Sequence, residues 1–430
     1  MESNALWHSL LFRRIFLDSD QMQKVMECHG AALTLDEWGQ GIGGTLANDL
    51  RRAGFLAKPD DDERMVRNQV EKPVQIQGLY LVLATDCNLD CSYCLYRAGA
   101  SQSLAGDRNM SRMSPKVAVE GVDCFAEAVR GNHRNDGYWQ QITFYGGEPL
   151  LNLGALHSAV ERIRALRDDG ELWDGTGLVI NTNGILLTEQ IVRFLVLQGI
   201  EVQISVDGFS SVHDLNRKTR NGQGSFSRVT KKLDLLRSFG ASVRPLITVT
   251  EDNIVGLPDF VTWLCATYGI TQYAFNLLMS GTGTCAADYP TRAAKAMRDT
   301  VRATEVIGAT DPALSEIIGG FAGPAISGQS CGGGRKITVF PSGQLHACQA
   351  LEASGVSLVS ELPSFDIESA AFQTWKRRSR FNDETCLACP ALGNCGGGCA
   401  AGSFHTGGDI HSVDPNNCQW TLALYDLRNT

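Results

Sequence analysis

The sequence predicts an α/β protein built around an open, partial (β/α)6 barrel, with a small helical module before it and a cysteine-rich segment after it. Six short apolar runs alternate with amphipathic helical stretches between residue 76 and about residue 281. Apolar strands that alternate with helices are typical of a parallel sheet covered by helices. Six such units are fewer than the eight of a closed barrel, so we expect the sheet to stay open.

The first element in chain order is a helix-rich module over residues 1–70. Its amphipathic stretches lie around residues 20–29 and 44–53, and the pattern resembles a small winged-helix-like unit. A module of this kind either forms a separate recognition unit or packs on the barrel as a helical extension.

The barrel is predicted over residues 75–285. Its six strands are expected in the segments QIQGLYLVLA, QITFYG, GLVINTNG, VQISVDG, SVRPLITVT and QYAFNLLM. Its helices are expected at residues 115–130, 153–168, 188–198, 226–239 and 257–268. Ser114 and Thr188 are typical helix starts, and Gly131, Gly199 and Gly240 are typical helix ends.

The last two segments lose this alternation. Residues 286–330 form a predicted linker region with a helix at 290–308, and residues 331–430 contain a β-like stretch, ITVFPSGQLHAC, and then a part dense in cysteine and glycine. A segment with so little apolar content cannot build an ordinary core, so we expect bound metal clusters to help fix its shape.

Composition excludes several classes of protein. The formal net charge is −9, so the composition does not indicate a protein that binds nucleic acid. No window approaches the roughly 18 apolar residues that a membrane span needs. The N-terminus lacks the basic and apolar regions of a secretory signal, so we expect a cytoplasmic protein with no membrane partner.

The fourteen cysteines are clustered, with three between residues 87 and 94 and seven between residues 331 and 418. In a reducing compartment such clusters indicate metal ligands and not disulfides. The four scattered cysteines are expected to be small buried apolar side chains. They are Cys28, Cys124, Cys265 and Cys285.

The first cluster, Cys87, Cys91 and Cys94, directly follows the first barrel strand, at the carboxyl end where parallel α/β folds place their sites. A structural zinc site needs four ligands, and no fourth cysteine or histidine is near, although a zinc half-site formed by chance is an alternative. In a 4Fe–4S cluster three thiolates leave one iron open to a substrate or cofactor.

This C-x3-C-x2-C pattern with an aromatic residue before its last cysteine resembles the signature of radical S-adenosylmethionine (SAM) enzymes. The resemblance implies that Cys87, Cys91 and Cys94 hold the catalytic 4Fe–4S cluster and that its open iron is chelated by SAM. One electron then cleaves SAM to a 5′-deoxyadenosyl radical. The family's fold is similar to the partial barrel predicted above.

Other motifs carry the same resemblance. The segment YGGEP resembles the family's glycine-rich turn, in which the backbone of Gly146 and Gly147 and the side chain of Glu148 meet the SAM ammonium. A pair of glycines allows a ligand to approach the backbone closely.

The ends of the following strands supply further expected SAM contacts. The resemblance implies roles for Asn183, for Ser205 and Asp207 near the ribose or carboxylate, for Arg217 at the carboxylate, and for Tyr93 near the adenine. A guanidinium is suited to bidentate pairing with a carboxylate. Taken singly, Asn183 and Asp207 are also ordinary turn residues.

The seven C-terminal cysteines resemble the SPASM extension of radical SAM enzymes that act on peptides and proteins. The resemblance implies two auxiliary 4Fe–4S clusters, and therefore three clusters in all. A zinc-ribbon-like fold is the alternative interpretation. One auxiliary cluster would be held by Cys386, Cys389, Cys395 and Cys418, and the other by Cys331, Cys348 and Cys399.

Two positions depart from the family pattern. Some members have an eighth cysteine where this chain has Ala325, so the second of these clusters either has an open iron or borrows a ligand such as Cys285 or a substrate group. In sulfatase-maturating members of the family an aspartate at the second position acts as the base. This chain has Gln349 there, which cannot accept a proton in that role.

The resemblance therefore implies a radical SAM peptide maturase that forms an oxidative C–C or thioether cross-link in a ribosomally made precursor peptide. Its partners would be that peptide and an electron donor such as flavodoxin or ferredoxin, and residues 1–70 would be the peptide-recognition module. The alternatives are an epimerase with Cys285 or Cys265 as hydrogen donor, a sulfatase-maturase-like protein oxidase, and a non-catalytic iron–sulfur electron carrier.

Overall fold

The structure is a computed structural model that describes residues 4–8, 13–28, 35–52, 55–56, 75–94, 112–131, 139–280, 285–319, 332–352, 354–392 and 395–427. Cys331 and Ala325 lie outside these residues. Among the described residues, no helix combines the length and the apolar character that crossing a membrane requires.

The first unit is a β-hairpin followed by three helices. Strands β1 and β2 pair antiparallel with each other, and six apolar residues of the unit form a small core of their own. The elements are β1 (Asn4–His8), β2 (Arg13–Leu17), α1 (Ser19–Cys28), α2 (Leu35–Ile42) and α3 (Gly44–Arg52).

The central unit confirms the predicted open (β/α)6 architecture. Six parallel strands pair in chain order, from β3 to β8, and helices follow each of them. The strands are β3 (Gly78–Ala84), β4 (Gln141–Gly146), β5 (Gly177–Thr182), β6 (Ile200–Ser205), β7 (Val243–Val249) and β8 (Ala274–Leu277). The helices are α4 (Pro115–Ala128), α5 (Leu153–Asp168), α6 (Glu189–Leu197), α7 (Ser210–Asn216), α8 (Phe226–Ser238), α9 (Leu257–Tyr268) and α10 (Tyr289–Glu305).

Local sequence signals explain where these helices begin. The Ser114 hydroxyl accepts a hydrogen bond from the Val117 amide at 3.2 Å, and the Thr188 hydroxyl accepts one from Ile191 at 3.3 Å. Such caps satisfy amide groups that have no partner within the helix. Both predicted helix starts are confirmed.

The cysteine-rich segment continues the barrel sheet. Strand β9 pairs parallel with β3, and β10 and β11 extend the sheet antiparallel, so the full order is β11-β10-β9-β3-β4-β5-β6-β7-β8. The segment therefore lies beside the strand that leads into the first cysteine cluster. Its elements, with the helix before it, are α11 (Pro312–Gly319), β9 (Lys336–Val339), β10 (Gln344–His346), β11 (Leu358–Glu361), α12 (Ala370–Lys376), α13 (Glu384–Leu387), α14 (Ala400–Gly407) and α15 (Pro415–Asp426).

Candidate active site and metal-cluster sites

A cavity of about 870 Å³, called the main cavity below, lies at the carboxyl ends of the parallel strands and between them. Polar residues from four strands line it, namely Asn181, Gln203, Thr248 and Asn276. Most of the residues predicted from the sequence line it too. They are Cys87, Cys91, Tyr93, Cys94, Gly146, Gly147, Asn183, Ser205, Arg217, Cys348 and Cys399.

The loop that carries the first three cysteines is held by backbone hydrogen bonds. The amide of Asp90 donates to the Lys218 carbonyl at 2.7 Å, and the amide of Ser92 donates to the Asn216 carbonyl at 3.0 Å. The end of α7 and the connection that follows it therefore fix the loop, and the sequence gives no sign of this pairing. The three thiols remain half-buried.

The two glycines of YGGEP bring the end of β4 against the end of β3. A Cβ atom on Gly146, whose φ is +144°, would lie 2.1 Å from the Ala84 carbonyl oxygen, and one on Gly147 would lie 2.4 Å from the Asp86 oxygen. Only glycine allows this approach, and it sets the turn directly beside Cys87.

Glu148 lies behind the cavity wall and is fully buried. Its carboxylate accepts hydrogen bonds from the Thr182 hydroxyl at 2.7 Å, the Asn183 amide at 2.9 Å and the Leu150 amide at 3.1 Å. Burial raises the pKa of Glu148 to about 7. In this structure Glu148 fixes the turn that carries Asn183, and its predicted contact with the SAM ammonium stays a prediction.

Asp207 is also buried and lies outside the residues that line the cavity. Its carboxylate pairs with Arg217, with Nε at 2.7 Å and Nη2 at 3.3 Å, and accepts the amide of Thr248 at 2.9 Å and the hydroxyl of Tyr93. This network orients Arg217, whose Nη1 lies 4.0 Å from the Cys91 sulfur.

Ser225 and His213, which the sequence did not indicate as site residues, support Arg217. The hydroxyl of Ser225 donates to the Arg217 carbonyl at 2.7 Å and lies 2.9 Å from Nε2 of His213. Nδ1 of His213 accepts the Asp207 amide at 3.3 Å. Burial, with the charge of Arg217 adding to it, lowers the pKa of His213 to about 4, so the imidazole is neutral.

The cysteine-rich segment contributes Cys348, Gln349 and Cys399 to the lining of the main cavity. Asp414 joins this segment to the barrel. Its carboxylate accepts hydrogen bonds from the hydroxyl of Ser280, just after β8, and from the amide of Cys399 at 3.0 Å.

A second cavity, of about 280 Å³, is lined by Cys386, Cys389, Cys395 and Cys418 and is called the four-cysteine cavity below. These are the four residues that the resemblance assigns to one auxiliary cluster. Arg380 also lines this cavity, and no nitrogen of its guanidinium has a hydrogen-bond partner within the described residues. Four thiols beside an unpaired buried cation fit an anionic iron–sulfur cluster with cysteine ligands.

The other cysteines are placed differently. Cys265 is buried in α9, and Cys124 is buried in α4. Cys285 is half-buried, 3.7 Å from Nδ2 of Asn416, and is not among the described residues that line the main cavity. Its proposed ligand role, and the position of Cys331, therefore stay predictions.

The structure pairs none of the thirteen described cysteines in a disulfide. Of the four scattered cysteines, Cys124 and Cys265 are buried as predicted, whereas Cys28 and Cys285 are only half-buried, so that prediction was wrong for these two. Within the described ranges, no three histidine, cysteine, aspartate or glutamate side chains converge on a single ion. The described thiols of the two cysteine clusters instead line the two cavities, which is compatible with larger groups such as iron–sulfur clusters.

Comparison with known proteins agrees with this geometry. The profile of the Radical SAM superfamily matches residues 81–261. An uncharacterised protein of Methanocaldococcus jannaschii is 30% identical over 203 residues, which cover 47% of this chain and 63% of that protein, just under two thirds of its length.

Longer matches cover more than three quarters of the chain. The mycofactocin maturase MftC of Mycobacterium tuberculosis (strain CDC 1551) is 27% identical over 353 residues, which cover 77% of this chain and 80% of that protein. The structure of anSMEcpe with bound S-adenosylmethionine and Cp18Cys peptide has a TM-score of 0.64 at 18% identity, over 81% of this chain and 96% of that one, and shares the fold. Residues 81–261 therefore match the Radical SAM superfamily, and a peptide maturase is among the proteins to which the chain is similar.

Proposed function

We propose that this enzyme is a peptide maturase that removes a hydrogen atom from a ribosomally made precursor peptide and forms an oxidative C–C or thioether cross-link. The main cavity supports this proposal most directly, because Cys87, Cys91 and Cys94 line it together with Cys348 and Cys399. The site of radical formation and a site for electron removal would then border one space.

The residues of the first site bind and orient. A 4Fe–4S cluster on Cys87, Cys91 and Cys94, together with SAM, would supply a 5′-deoxyadenosyl radical able to take hydrogen from an unactivated carbon. Nδ2 of Asn183 lies 3.7 Å from the Cys87 sulfur and Nη1 of Arg217 lies 4.0 Å from the Cys91 sulfur. N–H groups directed at cysteine sulfurs tune such clusters.

Cross-linking is a net oxidation: one hydrogen atom would pass to the 5′-deoxyadenosyl radical, and the substrate would then lose one electron and one proton to solvent as the new bond forms. An auxiliary cluster with Cys348 and Cys399 among its ligands would supply a one-electron acceptor at the same cavity. Cys331, its third expected ligand, lies outside the described residues. The short link from Ser280 through Asp414 to Cys399 supports a fixed distance between the two sites.

Two alternatives have less support. Epimerisation needs a hydrogen donor in the cavity, but every described cysteine that lines the main cavity is an expected cluster ligand, and Cys265 is buried in a helix. Formylglycine formation needs a base beside Cys348, where Gln349 presents a carboxamide.

We also propose that residues 1–70 recognise the precursor peptide. Strands β1 and β2 form a two-stranded sheet that pairs with no other described strand, so a leader peptide can add a further strand. The auxiliary and SAM-binding clusters would receive electrons from a small donor such as flavodoxin or ferredoxin.

Anaerobic protein reconstituted with iron and sulfide tests the proposal. With SAM and dithionite we expect 5′-deoxyadenosine from the wild type and from C124A, which changes a buried helix cysteine, and none from C91A. With a synthetic peptide encoded by a neighbouring short reading frame, we expect a product lighter by two hydrogen atoms. An unchanged peptide mass would favour epimerisation, and absence of 5′-deoxyadenosine from the wild type would leave only an electron carrier.

A further inference from the structure

A buried guanidinium lies against the four-cysteine cavity. Arg380 is only 4% exposed, yet its Nε and both Nη atoms are without a hydrogen-bond partner in the part of the chain that the structure describes. The ring of Phe381 lies 4.6 Å from its central carbon, which gives the cation one weak contact.

A neighbouring arginine shows what a structural role looks like here. Arg378 lines the same cavity, but its Nε donates to the Ile410 carbonyl at 2.6 Å and its Nη2 donates to the Gly397 carbonyl at 2.6 Å. Arg378 therefore ties three segments of backbone together. Arg380 makes no such contacts among the described residues, so packing alone does not explain its charge.

A buried cation without partners costs free energy, and a nearby anion offsets that cost. A 4Fe–4S cluster with four thiolate ligands is such an anion, and it gains one more negative charge when it is reduced. A fixed positive charge beside it therefore stabilises the reduced form more than the oxidised form. Charge and N–H donors near the sulfurs are known determinants of cluster potential.

We propose that Arg380 tunes the auxiliary cluster of the four-cysteine cavity. It supplies a buried positive charge and N–H donors that make reduction of that cluster more favourable. The inference rests on the auxiliary cluster proposed above. The four-cysteine cavity would then hold an electron acceptor whose reduction potential Arg380 tunes, and its cluster would do more than fix the shape of the cysteine-rich segment.

Redox titration followed by EPR tests the inference on the reconstituted full chain. The signal of this cluster is identified as the one that C389A lacks. At a fixed solution potential, we expect R380M to lower the ratio of reduced to oxidised cluster about tenfold, or about 59 mV for a one-electron couple. R380K keeps the charge and should retain most of the ratio. R377M removes an exposed charge nearby and should leave the ratio unchanged.

Thermal unfolding of the reconstituted and of the iron-free protein gives a second readout. Because Arg380 faces an anion only when the cluster is present, R380M should lower the unfolding temperature more in the reconstituted than in the iron-free protein, and R377M should match the wild type in both. A purely structural arginine would instead lower that temperature equally in both forms.

Three results would decide the matter. A wild type without iron at this site would overturn the proposed cluster. A wild type with the cluster, but the same reduction ratio in R380M, would overturn the role of Arg380 alone. Loss of about four irons per chain from R380M, restored in R380K, would support the inference by showing that the charge holds the cluster.

Discussion

Replacing Gly146 by alanine should disrupt the site by displacing its backbone. The added Cβ would lie 2.1 Å from the Ala84 carbonyl oxygen, a backbone atom that no side-chain rotation can move away. Overpacking costs about 1–3 kcal/mol, and a left-handed φ adds about 1–3 kcal/mol. We therefore expect G146A to lose about 2–6 kcal/mol of unfolding free energy and to displace the segment leading into Cys87.

Calorimetry of the iron-free protein measures this loss as a lower barrel Tm, by about 2–4 °C per kcal/mol for a domain of 150–250 residues. Iron analysis of the reconstituted protein measures the accompanying loss of the first cluster. The matched control is G154A in α5, where an added Cβ meets open space and alanine should stabilise the helix by up to about 1 kcal/mol. Equal Tm and iron content in G146A and G154A would refute this reasoning.

Three further substitutions test other parts of the site. Burial raises the pKa of Glu148 in the folded protein from 4.5 to about 7, so the folded protein keeps a proton that the unfolded chain releases. The free energy of unfolding should therefore fall by about 3 kcal/mol as pH rises through this window. E148Q should flatten this pH dependence in urea titrations, and an equal slope in E148Q and the wild type would contradict the reasoning. D207N leaves buried Arg217 without its ionised partner and should cost about 3–5 kcal/mol in urea unfolding, whereas an unchanged midpoint would show that the pair does not matter. C389A should lose about four irons per chain while C124A keeps them, and equal iron in both would argue against the auxiliary site.

Local signals made much of the fold predictable. Ser114 and Thr188 cap helices through contacts three residues away, and apolar runs identify strands without knowledge of their partners. The pairing of β9 with β3 was not predictable, because it joins Lys336 to Gly78 across more than half of the chain. A β-like stretch could be seen in the sequence, but its neighbour depends on long-range packing.

The same difference between local signals and long-range contacts applies to the site. The cysteines and glycines were visible because their spacing is itself the signal. The roles of Asp207 and Glu148 were less visible, because both carboxylates lie behind the cavity wall and orient the groups that line it. Arg380 and Asp414 carry no motif, and only their burial and contacts identify them.

The central claim is that three thiolates leave one iron free to bind SAM. EPR spectroscopy of the dithionite-reduced, reconstituted protein tests it, with C91A used to identify the signal of this cluster by subtraction. The account predicts that SAM changes the shape and g values of that signal in the wild type and leaves the signals that remain in C91A unchanged. An identical wild-type spectrum with and without SAM would contradict it.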